Sequence, residues 1–186
     1  MQDSDILDMY FSRDERAIGE TEKKYGAYLH TVAYNILSNE EDTKETVNDT
    51  YLGAWNSIPP QRPSAFSSFL AKIARNLALK KLRTNGAKRR GGSEALITME
   101  ELGDCVPSHS DVEKEIEEKE LSLILDAFLR ELPETERRVF IRRYWFMEKT
   151  RDICRDFGFT EGKIKMMLSR TRKKLMHKLL KEGVNL

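Results

Sequence analysis

Apolar residues recur every three or four positions through each long segment of this 186-residue chain, and no stretch alternates apolar with polar residues well enough to be a strand. That spacing puts the apolar side chains of a segment on one side of a helix, so the chain must bury helix faces against one another. The expected fold is all-α. No apolar run approaches the roughly 20 residues of a membrane span. The N-terminus MQDSDILDMY lacks the basic start and apolar core of a secretory signal, so a cytoplasmic protein without membrane insertion is expected. Two cysteines, Cys105 and Cys154, do not make a disulfide framework, and three scattered histidines lack metal-ligand spacing. No metal and no cofactor are expected.

The most informative helical pattern runs from Thr150 to Lys181, TRDICRDFGFTEGKIKMMLSRTRKKLMHKLLK. Ile153, Cys154 and Phe157 fall on one side of a short helix, Gly158 supplies a permissive turn, and the Thr160 hydroxyl can cap a second helix. In that second helix Ile164, Leu168, Thr171 and Leu175 face a core, while Lys163, Lys165, Met166, Ser169, Arg170 and Lys173 face away. This is helix-turn-helix punctuation. The outward face suits a major groove, with early side chains near base edges and cations near phosphates.

Charge is distributed in blocks. Residues 1–60 carry 5 Lys and Arg against 12 Asp and Glu, residues 61–92 carry 9 against 0, residues 93–136 carry 3 against 14, and residues 137–186 carry 15 against 5. Two cationic blocks alternating with two acidic ones offer two separate sites for a polyanion.

In chain order, a short helix around Ile6 to Phe11 precedes a long one bearing Ile18, Tyr25, Leu29, Val32, Ala33, Ile36 and Leu37, with a capping box at Ser12–Glu15. A second box at Ser38–Glu41 opens a helix whose apolar face is Val47, Tyr51, Leu52 and Trp55; Asp42, Glu45, Asn48 and Asp49 lie largely off it. That acidic face is either solvated or a docking surface for a basic protein. A stiff proline-rich loop, NSIPPQRPSAFS, leads into FSSFLAKIARNLALKKLRTN, with the stripe Phe66, Phe69, Leu70, Ile73, Ala74, Leu77 and Leu82. Lys72, Arg75, Asn76 and Arg83 share the other side, flanked by Lys80 and Lys81. No acidic residue occurs between Arg62 and Gly92, as suits a nucleic-acid face.

From Gly86 the periodicity fails, and the segment reads as a flexible interdomain linker with one brief apolar patch, Leu96 to Met99. GAKRRGGS within it resembles a phosphate-binding loop, but Gly92 replaces the required lysine and no strand precedes it, so ATP binding is rejected. SDVE at Ser110–Glu113 caps a helix with Ile116, Leu121, Leu125, Phe128 and Leu129 as its core face. LPETERRVFIRRYWF comes next, with Val139, Phe140 and Tyr144 as core. The division is into 1–86, a linker at 87–112, and a helix-turn-helix domain at 113–186.

The segments DTKETVNDTYLGAW, FLAKIARNLALKKLR, LPETERRVFIRRYW and TEGKIKMMLSRTRKKL, in this order, resemble a bacterial RNA polymerase sigma factor of the extracytoplasmic-function type, which keeps sigma regions 2 and 4. The resemblance implies a non-catalytic subunit that binds core RNA polymerase and directs promoter-specific initiation. It implies docking on the β′ clamp helices through Asp42, Glu45, Asn48, Asp49, Leu52 and Trp55. It implies reading and melting of the −10 element by Asn56, Arg62, Lys72, Arg75, Asn76, Lys80 and Arg83. The −35 duplex would meet Thr160, Glu161, Lys163, Lys165, Met166, Ser169, Arg170 and Lys173, and the β flap would be a further contact. The acidic linker would thread toward the polymerase active-site and RNA-exit channels. Many relatives are held by an anti-sigma factor covering the same DNA-binding faces, which makes one a candidate partner. Three positions depart from the pattern: Gly53 inside the docking helix, expected to soften it by about 1 kcal/mol; Lys149 where a serine often caps, leaving Thr150 to do so; and Met167 where many relatives carry arginine, which counts against a phosphate contact there. The competing reading is a free-standing helix-turn-helix regulator, which has no need of the second cationic block or the acidic face. An enzyme acting on nucleic acid would need a carboxylate cluster or a nucleophile and base, and the sequence has neither.

Overall fold

The computed structural model describes residues 1–86, 94–103 and 114–184, all of whose regular structure is helical. The chain forms two compact units, Met1–Ser93 and Glu94–Leu186.

The first unit holds α1 (Asp3–Phe11), α2 (Arg16–Leu37), α3 (Glu40–Ser57) and α4 (Phe66–Gly86), with α2, α3 and α4 packed mutually and α1 laid on α2. Leu29, Ile36, Ala54, Ile58, Leu70 and Ala74 are wholly buried between them. Tyr10 ties α1 into this core: its ring lies 5.9 Å from both Trp55 and Phe66. Its hydroxyl is 3.0 Å from that of Thr21, which itself donates to the Ala17 carbonyl, so Tyr10 is the donor to Thr21. Gly53 and Gly26 mark close approaches. A Cβ at Gly53 would stand 3.0 Å from Ile73 Cγ2, and one at Gly26 would stand 3.3 Å from the Tyr51 hydroxyl. Gly53 thus lets α4 press against α3, a role beyond the softening expected of it.

Both capping boxes are displaced. The Ser12 hydroxyl donates back to the Asp8 and Met9 carbonyls and closes α1, while the Asp14 carboxylate receives the Arg16 N–H at the start of α2. Ser38 adopts a left-handed φ of 49° that ends α2, a conformation that cannot start a helix, so Asn39 caps α3 by accepting from the Asp42 N–H at 2.9 Å.

The second unit holds α5 (Glu94–Gly103), α6 (Lys114–Glu131), α7 (Glu134–Tyr144), α8 (Thr150–Phe157) and α9 (Glu161–Lys181). Its core joins Phe128, Val139, Phe140 and Tyr144 to Ile153 of α8 and to Ile164, Leu168 and Leu175 of α9. Thr171 is buried on the same stripe, so the inward face of α9 is the expected one. Gly158 turns the chain between α8 and α9 at φ 64°, and Thr160 caps α9 by accepting from the Lys163 N–H. Thr150 does not cap α8: it is already helical, and Lys149 precedes it in extended conformation without a side-chain bond.

Part of the expected linker is built into this unit. Residues 94–103 form α5, with Ala95 and Thr98 wholly buried and contacts to α7. The apolar patch is therefore an amphipathic turn seated on the bundle. GAKRRGGS beyond Gly86, the SDVE cap, Cys105 and the side chain of Ile116 lie outside the described residues.

Candidate nucleic-acid and protein-docking faces

On α3 the acidic side faces water. Glu45, Asn48, Asp49 and Leu52 are exposed, linked by the three- and four-residue spacings that one stripe requires. Leu52, read from sequence as both core and docking residue, is 57% exposed, so it stands outside the core that Val47 and Tyr51 join. An exposed leucine one turn from Asp49, on a stripe that also carries Glu45, offers a partner an apolar contact beside anionic ones. Trp55 is turned inward instead. Its ring lies against Tyr10, the Arg13 guanidinium sits 5.1 Å above it, and Arg13 Nη1 donates to the Trp55 carbonyl at 2.7 Å.

Asp42 and Glu45 are engaged within the unit. Lys81 of α4 reaches across to both, at 3.2 Å and 2.5 Å, and these carboxylates hold its ammonium above the ordinary value against the opposing effect of burial. This bridge joins residues 36 or more positions apart and has no local signal in the sequence.

On α4, Lys72, Asn76, Lys80 and Arg83 are exposed, spaced to share a face. Arg75 is half-buried; burial, reinforced by the charge of Arg83, pushes its guanidinium down. Asn56 is exposed near the end of α3. Arg62 lies over the Phe11 ring at 5.0 Å and pairs with Asp8 at 2.6 Å, which ties it to α1. The four exposed α4 residues therefore form the open face, with Asn76 as its neutral hydrogen-bonding member, while Arg62 would have to leave Asp8 to meet a phosphate.

In the second unit, Thr160, Glu161, Lys163, Lys165, Met166, Arg170 and Lys173 are exposed and Ser169 is half-buried, all on the side of α9 away from the core. Two of the lysines are drawn back. The Lys163 ammonium sits 3.4 Å from the centroid of the Phe159 ring, and Lys165 pairs with Glu161 at 2.6 Å, which raises the lysine and lowers the carboxyl. Phe159 in turn lies 6.0 Å from Phe157, over which the Arg138 and Arg142 guanidiniums stand at 5.2 Å and 5.7 Å. Arg142 also forks to Glu148 and Asp156, clamping α8 to the end of α7. Sequence reading missed Phe159, whose spacing marks it only as a turn residue. Met167 packs toward the core and presents no group to a phosphate.

Behind this helix lies a charge cluster that sequence reading also missed. Arg143, only 2% exposed, pairs with Glu101 of α5 at 3.0 Å and donates to the Glu148 carbonyl. Glu101 also accepts from Tyr144 and lies 3.6 Å from Arg172, which itself donates to the Tyr144 hydroxyl.

No group of three or more His, Cys, Asp or Glu among the described residues could hold a metal ion, and no described helix is long and apolar enough to cross a membrane.

Comparison with known proteins places these faces in context. Residues 23–88, from within α2 to just past α4, match the family model Sigma-70 region 2, and residues 122–175 match Sigma-70, region 4. The chain is 23% identical over 150 residues, 80% of its length, to a protein of Xanthomonas campestris pv. campestris named "Probable RNA polymerase sigma factor RfaY", and it spans 37% of that relative's length.

Proposed function

Because the chain belongs to the sigma-70 family and carries its regions 2 and 4 on one polypeptide, we propose that it is a promoter-specificity subunit of the extracytoplasmic-function type, which binds core RNA polymerase and directs initiation at promoters with −10 and −35 elements. The observation that carries this reading is the pairing of two oppositely charged faces in one small unit: an acidic stripe that ends on exposed Leu52, and a cationic α4 face bearing Asn76. A free-standing regulator has a use for the α9 face but for neither of these.

The division of work comes from the chemistry of the faces. The α3 stripe docks on the cationic β′ clamp helices, with Leu52 supplying desolvated contact and Asp49 setting orientation. Lys72, Lys80 and Arg83 hold phosphates of the opened −10 strand while Asn76 bonds base edges, offsetting an unstacking cost of about a few kcal/mol per flipped base. The α9 face reads the −35 duplex from the major groove, and the second unit also meets the β flap. The chain contributes no catalysis, works in the cytoplasm where core polymerase is, and offers an anti-sigma factor the same cationic faces.

Reconstituted transcription tests this: purified chain with bacterial core polymerase on DNA from upstream of its own gene, with and without Asp49→Lys. We expect specific transcripts that require the chain and fall at least tenfold with the charge reversal. Tight duplex binding by the chain alone, with no core binding and no transcript, would instead establish a free-standing regulator.

A further inference from the structure

We infer that Met166 is a specificity residue of the −35 reading, recognising the C5-methyl group of a thymine in the major groove; this rests on the assignment of α9 to duplex DNA. Between Glu161 and Lys174 of α9, Met166 is the only exposed apolar side chain, at 58%, while Ile164, Leu168 and Thr171 are buried and Met167 packs toward the core. Packing within the unit therefore gives no reason for a methionine there. Its neighbours clear the way for it. Gly162, one turn earlier, has no side chain, and a Cβ there would meet nothing within 4 Å. Lys163 is drawn back onto the Phe159 ring and Lys165 onto Glu161. The cations on either side are thus turned toward the start of the helix, and the group that projects at mid-face is a thioether.

The chemistry of the groove then narrows the target. Base edges there present donors, acceptors and one apolar group, the thymine methyl. A methionine neither donates nor charges, so it gains most against that methyl, and its three rotatable bonds let it follow small differences in approach. Arg170, one turn later and exposed, is placed to hold a phosphate or a guanine beside it. The −35 element read by this chain should therefore contain a thymine whose methyl, and not its hydrogen-bonding edge, is the feature selected.

The test uses the chain assembled with core polymerase to select from promoters randomised across the −35 region, for wild type and Met166→Ala, followed by affinity measurements in which each selected thymine is replaced by uracil, which lacks only the methyl. We expect one thymine whose enrichment disappears in Met166→Ala. At that position uracil should lower wild-type affinity about three- to fivefold, the worth of one buried methyl, and leave Met166→Ala unchanged. Restoring the methyl as 5-methylcytosine paired with guanine should recover part of the loss relative to cytosine only in wild type. Uracil being neutral at every selected thymine, or equally harmful to Met166→Ala, would overturn the inference while leaving the −35 assignment standing. No enrichment of any sequence in this region would overturn the assignment itself, and the inference with it. Met166 is exposed, so unchanged circular dichroism of the alanine variant is the expected control.

Discussion

Three phenols, Tyr25, Tyr51 and Tyr144, are each pushed up to about 12, chiefly by burial, with Asp3, Glu22 and Glu101 adding to the shift. A phenol whose folded value lies above its ordinary value of 10 favours the fold only while it keeps its proton. That contribution is complete below pH 10 and is lost as pH rises through about 12. Stability measured in urea should therefore hold up to about pH 10 and fall steeply above it, and Tyr144→Phe should flatten the fall for the second unit. An equally steep fall in that variant would locate the alkaline sensitivity elsewhere. Single residues were also where the sequence was most uneven as a guide. The inward stripe of α9, Ile164, Leu168, Thr171 and Leu175, was legible because helical period alone decides which side chains share a face. The same rule put Leu52 on the apolar face with Val47 and Tyr51, yet it is 57% exposed. Period ranks positions around a helix but does not fix how wide a stripe the neighbours cover. Nor could it show that Arg62 rests on Asp8 or that Trp55 lies under Arg13, contacts made between distant parts of the chain.

Among whole elements, α5 departs furthest from its sequence pattern. Surrounded by glycines and a proline, with one short apolar patch, residues 94–103 gave no local reason to be helical. Their order comes from what they touch: Ala95 and Thr98 are sealed in, and Glu101 compensates Arg143 and Arg172. Removing that carboxylate takes a charged partner from a guanidinium that is 2% exposed and that also donates to the Glu148 carbonyl. Glu101→Ala should cost the second unit about 1.5 kcal/mol, the lower end for a hydrogen bond to a charged group, because Glu101 itself keeps 32% exposure. Urea unfolding monitored by circular dichroism measures this. A loss below about 0.5 kcal/mol would mean that water replaces Glu101 freely and that α5 is an incidental passenger. The long helices, by contrast, were legible in type and order. Only their starts moved, because Ser12 and Ser38 ended helices that their composition suggested they would begin.

For the molecule as a whole, the charge blocks suggested two separate sites for a polyanion, set apart from the acidic blocks between them. Lys81 breaks that independence. It belongs to the cationic helix, yet in the free chain its charge is shared between Asp42 and Glu45 of the acidic one. A cationic partner seated on α3 competes for those carboxylates and frees the ammonium for phosphate; phosphate that captures the ammonium takes it from both carboxylates. The two binding equilibria therefore share a group, and the coupling between them is reciprocal. Core polymerase should raise affinity for a single-stranded −10 oligonucleotide more in wild type than in Lys81→Gln, by a factor of about 5 for a coupling near 1 kcal/mol, and the excess should shrink as salt screens it. Equal enhancement in both proteins would show Lys81 to be a structural strut alone. If the coupling is found, one lysine makes the chain a weaker binder of stray single strands until it has an enzyme to bring there, an ordering of events that requires no separate inhibitory segment.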